Sequence, residues 1–169
     1  MKKAVISILV LSLFVFGLAK KPANTESLNK QTKENSSEDF SLKDLTGKKV
    51  ALKDFKEKKV VLLVFFATWC HYCVQEIPEL KKMQDEYKDK DLMILAIDIK
   101  ESNSKVDSFR VKHDINYTIL LDSDALVAKK YKVTGIPSNI VIDKDGSVKY
   151  NGYVIDEAKK VISDLLTQK

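Results

Sequence analysis

The chain has 169 residues, 44% hydrophobic and 31% charged, with a formal net charge of +5. That length holds one domain of ordinary size plus a tail, and the apolar content excludes a disordered chain. The charge is modest and its lysines are scattered in pairs such as Lys48-Lys49, Lys81-Lys82 and Lys159-Lys160, which argues against a nucleic-acid partner.

The first element is an export segment. Met1-Lys2-Lys3 is a short positive start, and residues 4–19 are apolar apart from Ser7 and Ser12. Gly17-Leu18-Ala19 supplies the small residues that a signal peptidase requires, and the stretch is shorter than the roughly 20 residues that span a bilayer comfortably. Residues 1–19 are therefore expected to be a signal peptide. An uncleaved signal anchor is the alternative, because Lys20-Lys21 disfavours processing. Either way the domain is expected outside the cytoplasm, in the periplasm or at the outer face of the cytoplasmic membrane. Residues 20–37 carry one large apolar side chain, Leu28, and read as a polar linker that buries too little surface to fold alone. The folded domain is expected over residues 38–169.

Within that domain, Phe40-Ser41-Leu42 and Val50-Ala51-Leu52 flank Thr46-Gly47-Lys48 and predict an N-terminal β-hairpin. Residues 60–66 are a continuous apolar run of strand length. Beyond them Ile77, Leu80, Met83 and Tyr87 recur at intervals of three and four, an amphipathic helix in which Pro78 removes one backbone donor and predicts a kink. Residues 92–99 read as a second buried strand, followed by a helix around 105–112, a strand at 117–121 and a helix at 125–131. Residues 139–142 and 148–150 flank the turn Asp143-Lys144-Asp145-Gly146 as a second hairpin, and a helix at 157–166 closes the chain. This order predicts an α/β fold with a mixed sheet and helices on both faces.

Trp69-Cys70-His71-Tyr72-Cys73 uses both cysteines of the chain and falls between a strand and a helix. Cys70 is thereby placed where free backbone N–H groups and the positive end of the helix dipole favour a thiolate. A thiolate attacks disulfides, so the first reading is thiol–disulfide exchange, with Cys70 as the more accessible attacking sulfur and Cys73 as the buried resolving one. A purely stabilising disulfide is the bland alternative, and a loop this short would contribute only about 2 kcal/mol. No metal site is expected: two cysteines with His71 and His113 scarcely close a tetrahedral zinc shell. Glu76 follows Cys73 by three residues on the same helix face. Buried there, it would hold its proton more tightly and accept the proton that Cys73 must lose; an exposed helix glutamate is the alternative. Protonated His71 would add positive charge beside Cys70 and make the pair more oxidising, or stand exposed with no role. His113 is expected to be exposed at a helix end.

The W-C-x-x-C turn after an apolar strand, the helix proline Pro78 five residues past the second cysteine, and Gly135-Ile136-Pro137 before an edge strand resemble the thioredoxin superfamily. The extra strand and helix at roughly 92–114 and the pattern Cys70-x-x-Cys73-x-x-Glu76-x-Pro78 resemble its exported TlpA/ResA/CcmG branch. The resemblance covers about residues 38–167. It implies a thioredoxin-like mixed sheet flanked by helices, with an N-terminal β-hairpin and an inserted strand–helix unit.

It also implies a monomeric thiol–disulfide oxidoreductase that needs no cofactor, acts on protein thiol or disulfide substrates and draws electrons from a membrane donor of thiol type. Cysteines of apocytochrome c are one candidate substrate. The Ile136–Pro137 bond is expected to be cis and to face the cysteines, leaving the Ile136 backbone free to pair with an extended substrate. Thioredoxins keep a buried acid on the preceding strand where this chain has Val64, which leaves Glu76 as the nearby candidate. Trp69 is expected either to shield the disulfide and offer a docking surface or simply to pack. His71-Tyr72 departs from the branch, whose second intervening residue is more often proline. Reductase is the reading of the direction, with a disulfide-forming oxidase as the rival. A peroxidase of the related peroxiredoxin type is disfavoured by Thr68-Trp69-Cys70, and a non-enzymatic envelope binding module remains the other class.

Overall fold

The computed structural model describes residues 36–167. The export segment and all but Ser36 and Ser37 of the linker lie outside the described residues. The chain runs β1 (Ser41–Asp44), β2 (Lys49–Ala51), β3 (Val60–Phe66), α1 (His71–Tyr87), β4 (Leu92–Ile99) and α2 (Asn103–Lys112). It continues through β5 (Thr118–Asp122), α3 (Leu126–Lys130), β6 (Ser138–Ile142), β7 (Val148–Gly152) and α4 (Ile155–Thr167). The strands form one seven-stranded sheet in the order β2-β1-β5-β4-β3-β6-β7. The central β5-β4-β3 ladder is parallel and its neighbours on both sides are antiparallel. The mixed sheet, both hairpins and the inserted unit of β4 and α2 all stand as the sequence indicates.

β3 is the axis of the molecule. All seven of its residues are buried, because alternate side chains feed two cores. Val60, Leu62, Val64 and Phe66 pack with Ile77, Leu80 and Met83 of α1 and with residues of α2 and α4 on one face. Val61, Leu63 and Phe65 meet Val127 and Ala128 of α3 and Tyr131 just beyond it on the other. A strand covered on both sides reads as an unbroken apolar run. Helices lie on both faces, as expected, but three share the face that carries the cysteines.

Boundaries differ from the sequence reading where side chains take over backbone bonding. β1 extends to Asp44, whose Oδ1 accepts from the Thr46 N–H, the Thr46 hydroxyl and the Lys48 N–H at 2.9, 2.7 and 2.9 Å and so builds the turn. Leu52 leaves the strand and opens a 3-10 turn, Leu52–Phe55. α3 is shorter than 125–131. It follows Ala125 at φ 58° and is held by buried Asp122, which accepts the N–H groups of Val127 and Ala128 at 3.1 and 2.8 Å. α1 runs on past Pro78 to Tyr87.

Candidate active site

The site is built where β3 hands the chain to α1. The Cys70 N–H donates to the Ala67 carbonyl at 3.1 Å, which folds residues 67–70 into a tight turn. Cys70 is the N-cap of α1 in extended conformation, and its Sγ accepts the Cys73 N–H at 3.2 Å. A sulfur thus occupies the position usually filled by a Ser or Asp oxygen. The same N–H would stabilise a thiolate there after reduction. Cys70 and Cys73 form a disulfide with a Cα–Cα separation of 5.3 Å.

The two cysteine residues are equally buried. Each cysteine is only 5% exposed, and both belong to the core that also holds Val64 and Phe66. The sequence reading places Cys70 nearer to solvent; in the disulfide form the N-cap turn folds it against the sheet instead. Trp69, at 72% exposure, and Tyr72 stand out from the surface on either side. That exposure removes the packing alternative for Trp69. His71 is exposed too, with its Nε2 3.1 Å from Gln75 Nε2 and its ring edge-on to Tyr72.

Glu76 is buried, one turn below Cys73. Burial drives its carboxyl up to about 7, Asn139 offsets part of that by donating Nδ2–H to both oxygens at 3.1 and 3.3 Å, and Asp156 adds to the rise. The exposed-glutamate alternative is removed. The Ile136–Pro137 bond is cis, as the resemblance implies. Ile136 lines two depressions: one shared with Tyr72, Glu76, Pro137 and Tyr153, the other with Trp69, Glu101 and Lys105. Ile136 thus separates the depression beside Trp69 from the one beside Pro137 and Glu76, and it also packs against the core that contains both cysteines. His113 caps the end of α2, half-buried against Phe109 with ring centroids 4.4 Å apart, and so is not the exposed residue expected.

Four groups near the site escape sequence reasoning. Asn139 faces the site from β6 because β6 pairs with β3 in the register Val64↔Asn139. Asp98, fully buried at the end of β4 opposite Phe66, accepts the Glu101 N–H at 3.1 Å. Lys100, at φ 66°, turns the chain so that Glu101 comes beneath Thr68. There Glu101 accepts the Thr68 N–H at 2.5 Å and its hydroxyl at 2.8 Å, and pairs with Lys105 at 2.5 Å. Burial resists ionisation of Glu101, but Lys105, Thr68 and Asp98 together hold it well below the usual carboxylate range. Burial and the adjacent Glu101 push Asp98 up. Tyr153 lines the depression beside Pro137, its hydroxyl 3.0 Å from Thr134 Oγ1. The signal available for Asp98 is a lone polar residue in an apolar strand, and for Asn139 a polar pair with Ser138 at the start of one. Among the described residues no cluster of three or more His, Cys, Asp or Glu side chains is arranged to hold a metal ion.

The model of the AhpC/TSA family matches residues 34–151. The chain belongs to the AhpC/TSA family. Thiol-disulfide oxidoreductase ResA of Bacillus thuringiensis subsp. konkukian is 37% identical over 109 residues, 64% of this chain and 62% of that protein. Thioredoxin-like protein YneN of Bacillus subtilis is 40% identical over 113 residues, 65% of each chain. This chain therefore spans less than two thirds of the length of these curated relatives. Among solved structures, a Chlorobium tepidum protein provisionally named thiol:disulfide interchange protein DsbE matches with a TM-score of 0.69 at 28% identity, over 78% of this chain and 94% of that one. The thioredoxin-like fold and the likeness to the ResA-type branch are borne out, and the relatives' names agree with the enzyme class read from the motif.

Proposed function

We propose that the chain is a thiol–disulfide oxidoreductase that reduces disulfides in protein substrates outside the cytoplasm. The observation that carries this reading is a disulfide at the start of α1 with a buried, proton-binding carboxyl one turn behind it. In the reduced enzyme the Cys70 thiolate attacks a substrate disulfide, forms a mixed disulfide and expels one substrate thiolate, which takes a proton from water. Cys73 then gives its proton to Glu76 and attacks Cys70 Sγ. The Cys70–Cys73 bond forms, the second substrate thiolate leaves and is protonated, and Glu76 returns its proton to solvent. Two electrons pass from the dithiol to the substrate, and a membrane donor of thiol type restores them. Trp69, Ile136 and Pro137 form the surface on which an extended substrate segment docks.

The reductase direction is favoured over the oxidase because the His71 ring turns to Gln75 and Tyr72 at the surface, with no hydrogen bond to Cys70 among the described residues. Apocytochrome c cysteines are one substrate within this class. The export segment read at residues 1–19 supports the location.

A Cys73→Ser variant tests the scheme: it should hold substrates as stable mixed disulfides on Cys70, and the wild type should reduce insulin. Equilibration with a glutathione series should place the pair among reducing dithiols. A potential in the range of strong oxidants would reverse the direction, and a variant that traps nothing, with a wild type inert towards insulin, would leave a binding module.

A further inference from the structure

Asn139 is fully buried on β6 and donates to Glu76, yet its own Oδ1 has no hydrogen-bond partner among the described residues. Buried polar atoms are paired in the great majority of cases, and an amide acceptor left empty is costly. With Oδ1 engaged by no other group among the described residues, no second hydrogen bond locks the amide in one orientation. Ionised, Glu76 can only accept; protonated, it carries an O–H. A primary amide has a donor end and an acceptor end of nearly the same shape. Turned about its last bond, Asn139 suits either form of the carboxyl.

We propose that Asn139 is a positioning residue for Glu76, donating to the carboxylate when the proton is absent and accepting its O–H when the proton is present. This rests on the reading of Glu76 as the proton acceptor for Cys73. The other groups acting on Glu76 do not share the task. Asp156, at the start of α4, is an acid that opposes ionisation of Glu76. Tyr117, ahead of β5, and Tyr150, on β7, are pushed up by burial and further by the Glu76 charge, so neither gives up its proton near neutrality. Among the described residues Asn139 is the group hydrogen-bonded to the Glu76 carboxyl, and its amide can answer either protonation state.

The charged pairing is the stronger of the two, so loss of the amide penalises the ionised form more. The test uses the full chain, reduced and mixed with an aromatic disulfide that leaves thionitrobenzoate on Cys70. Release of the coloured thiolate then times the Cys73 attack across the pH range. Asn139→Leu is expected to move the inflection of that profile upward by about one pH unit, with the rate above the inflection retained. In reduced wild type, the Asn139 side-chain amide resonances should titrate with the same midpoint as Glu76 and cease to do so in Glu76→Gln. If Glu76→Gln alters the profile and Asn139→Leu does not, the role of Asn139 falls alone. If neither does, the reading of Glu76 falls and takes this one with it. Should the leucine variant not fold, the wild-type resonances decide: amide signals indifferent to pH overturn the proposal.

Discussion

Two buried carboxylates flank the same turn and behave in opposite ways. Glu76 lies behind it on α1 with a single neutral amide as donor, and its carboxyl is driven up to about 7. Glu101 lies beneath Thr68, also desolvated, but Lys105, a backbone N–H and a hydroxyl converge on it and hold it far down. Burial acts in the same direction at both places; the number and charge of donors decide the outcome. One carboxyl is set to exchange a proton near neutral pH. The other is a fixed anion that anchors Thr68, two residues before Cys70.

The sharpest way to break this contrast is to remove the anchor. Glu101→Ala strips Thr68 of its acceptor and Lys105 of its ion-pair partner, while the backbone N–H that Asp98 accepts stays, and is expected to cost about 2 kcal/mol of stability. Urea unfolding checks it: a midpoint close to wild type would mean that the turn holds itself. Next comes Glu76→Gln, which is expected to slow the Cys73 attack about a hundredfold at pH 7. The deficit should shrink above pH 8, where the thiol loses its proton unaided.

The pH dependence of stability separates the two groups by sign. Glu76 has a folded pKa above its ordinary 4.5, so its contribution is complete below that value and lost as pH rises through about 7. Asp98, also raised, acts in the same direction. Glu101 is depressed, so its contribution is present above the ordinary carboxylate pKa and lost as the solution becomes more acid than that. Stability measured from pH 3 to 9 should therefore fall at both ends. Glu76→Gln should flatten part of the upper slope and Glu101→Gln the acid limb. The smallest effect is expected at the rim: Trp69→Ala should raise the apparent KM for a protein substrate several-fold while changing stability by less than about 0.5 kcal/mol.

What could be read from the chain alone follows from how contacts are distributed along it. β3 was legible because both faces are buried and no polar residue interrupts it. Cys70, Cys73 and Glu76 were legible because one short turn and one helix face carry all three. The proline loop was legible through its resemblance. Asn139 and Asp98 were not: their places beside Val64 and Phe66 depend on strand order and register, which a single sequence does not display. Glu101 needed a left-handed residue at Lys100 to reach Thr68. The burial of Cys70 is not legible either, because an N-cap is a surface position on an isolated helix and becomes covered only through the sheet packed behind it.

Ser36 bridges to Ser147, and the Ser37 N–H donates to the Gly146 carbonyl at 2.8 Å. The incoming chain thus meets the domain beside the turn at residues 143–146, at the end of the sheet where β3 begins. Cys70 lies past the other end of that strand, roughly 20 Å on at about 3.3 Å per residue. Any attachment upstream of Ser36 grips the domain from the rear. A substrate that reaches the disulfide therefore approaches the domain from the side opposite to the one where the described chain enters.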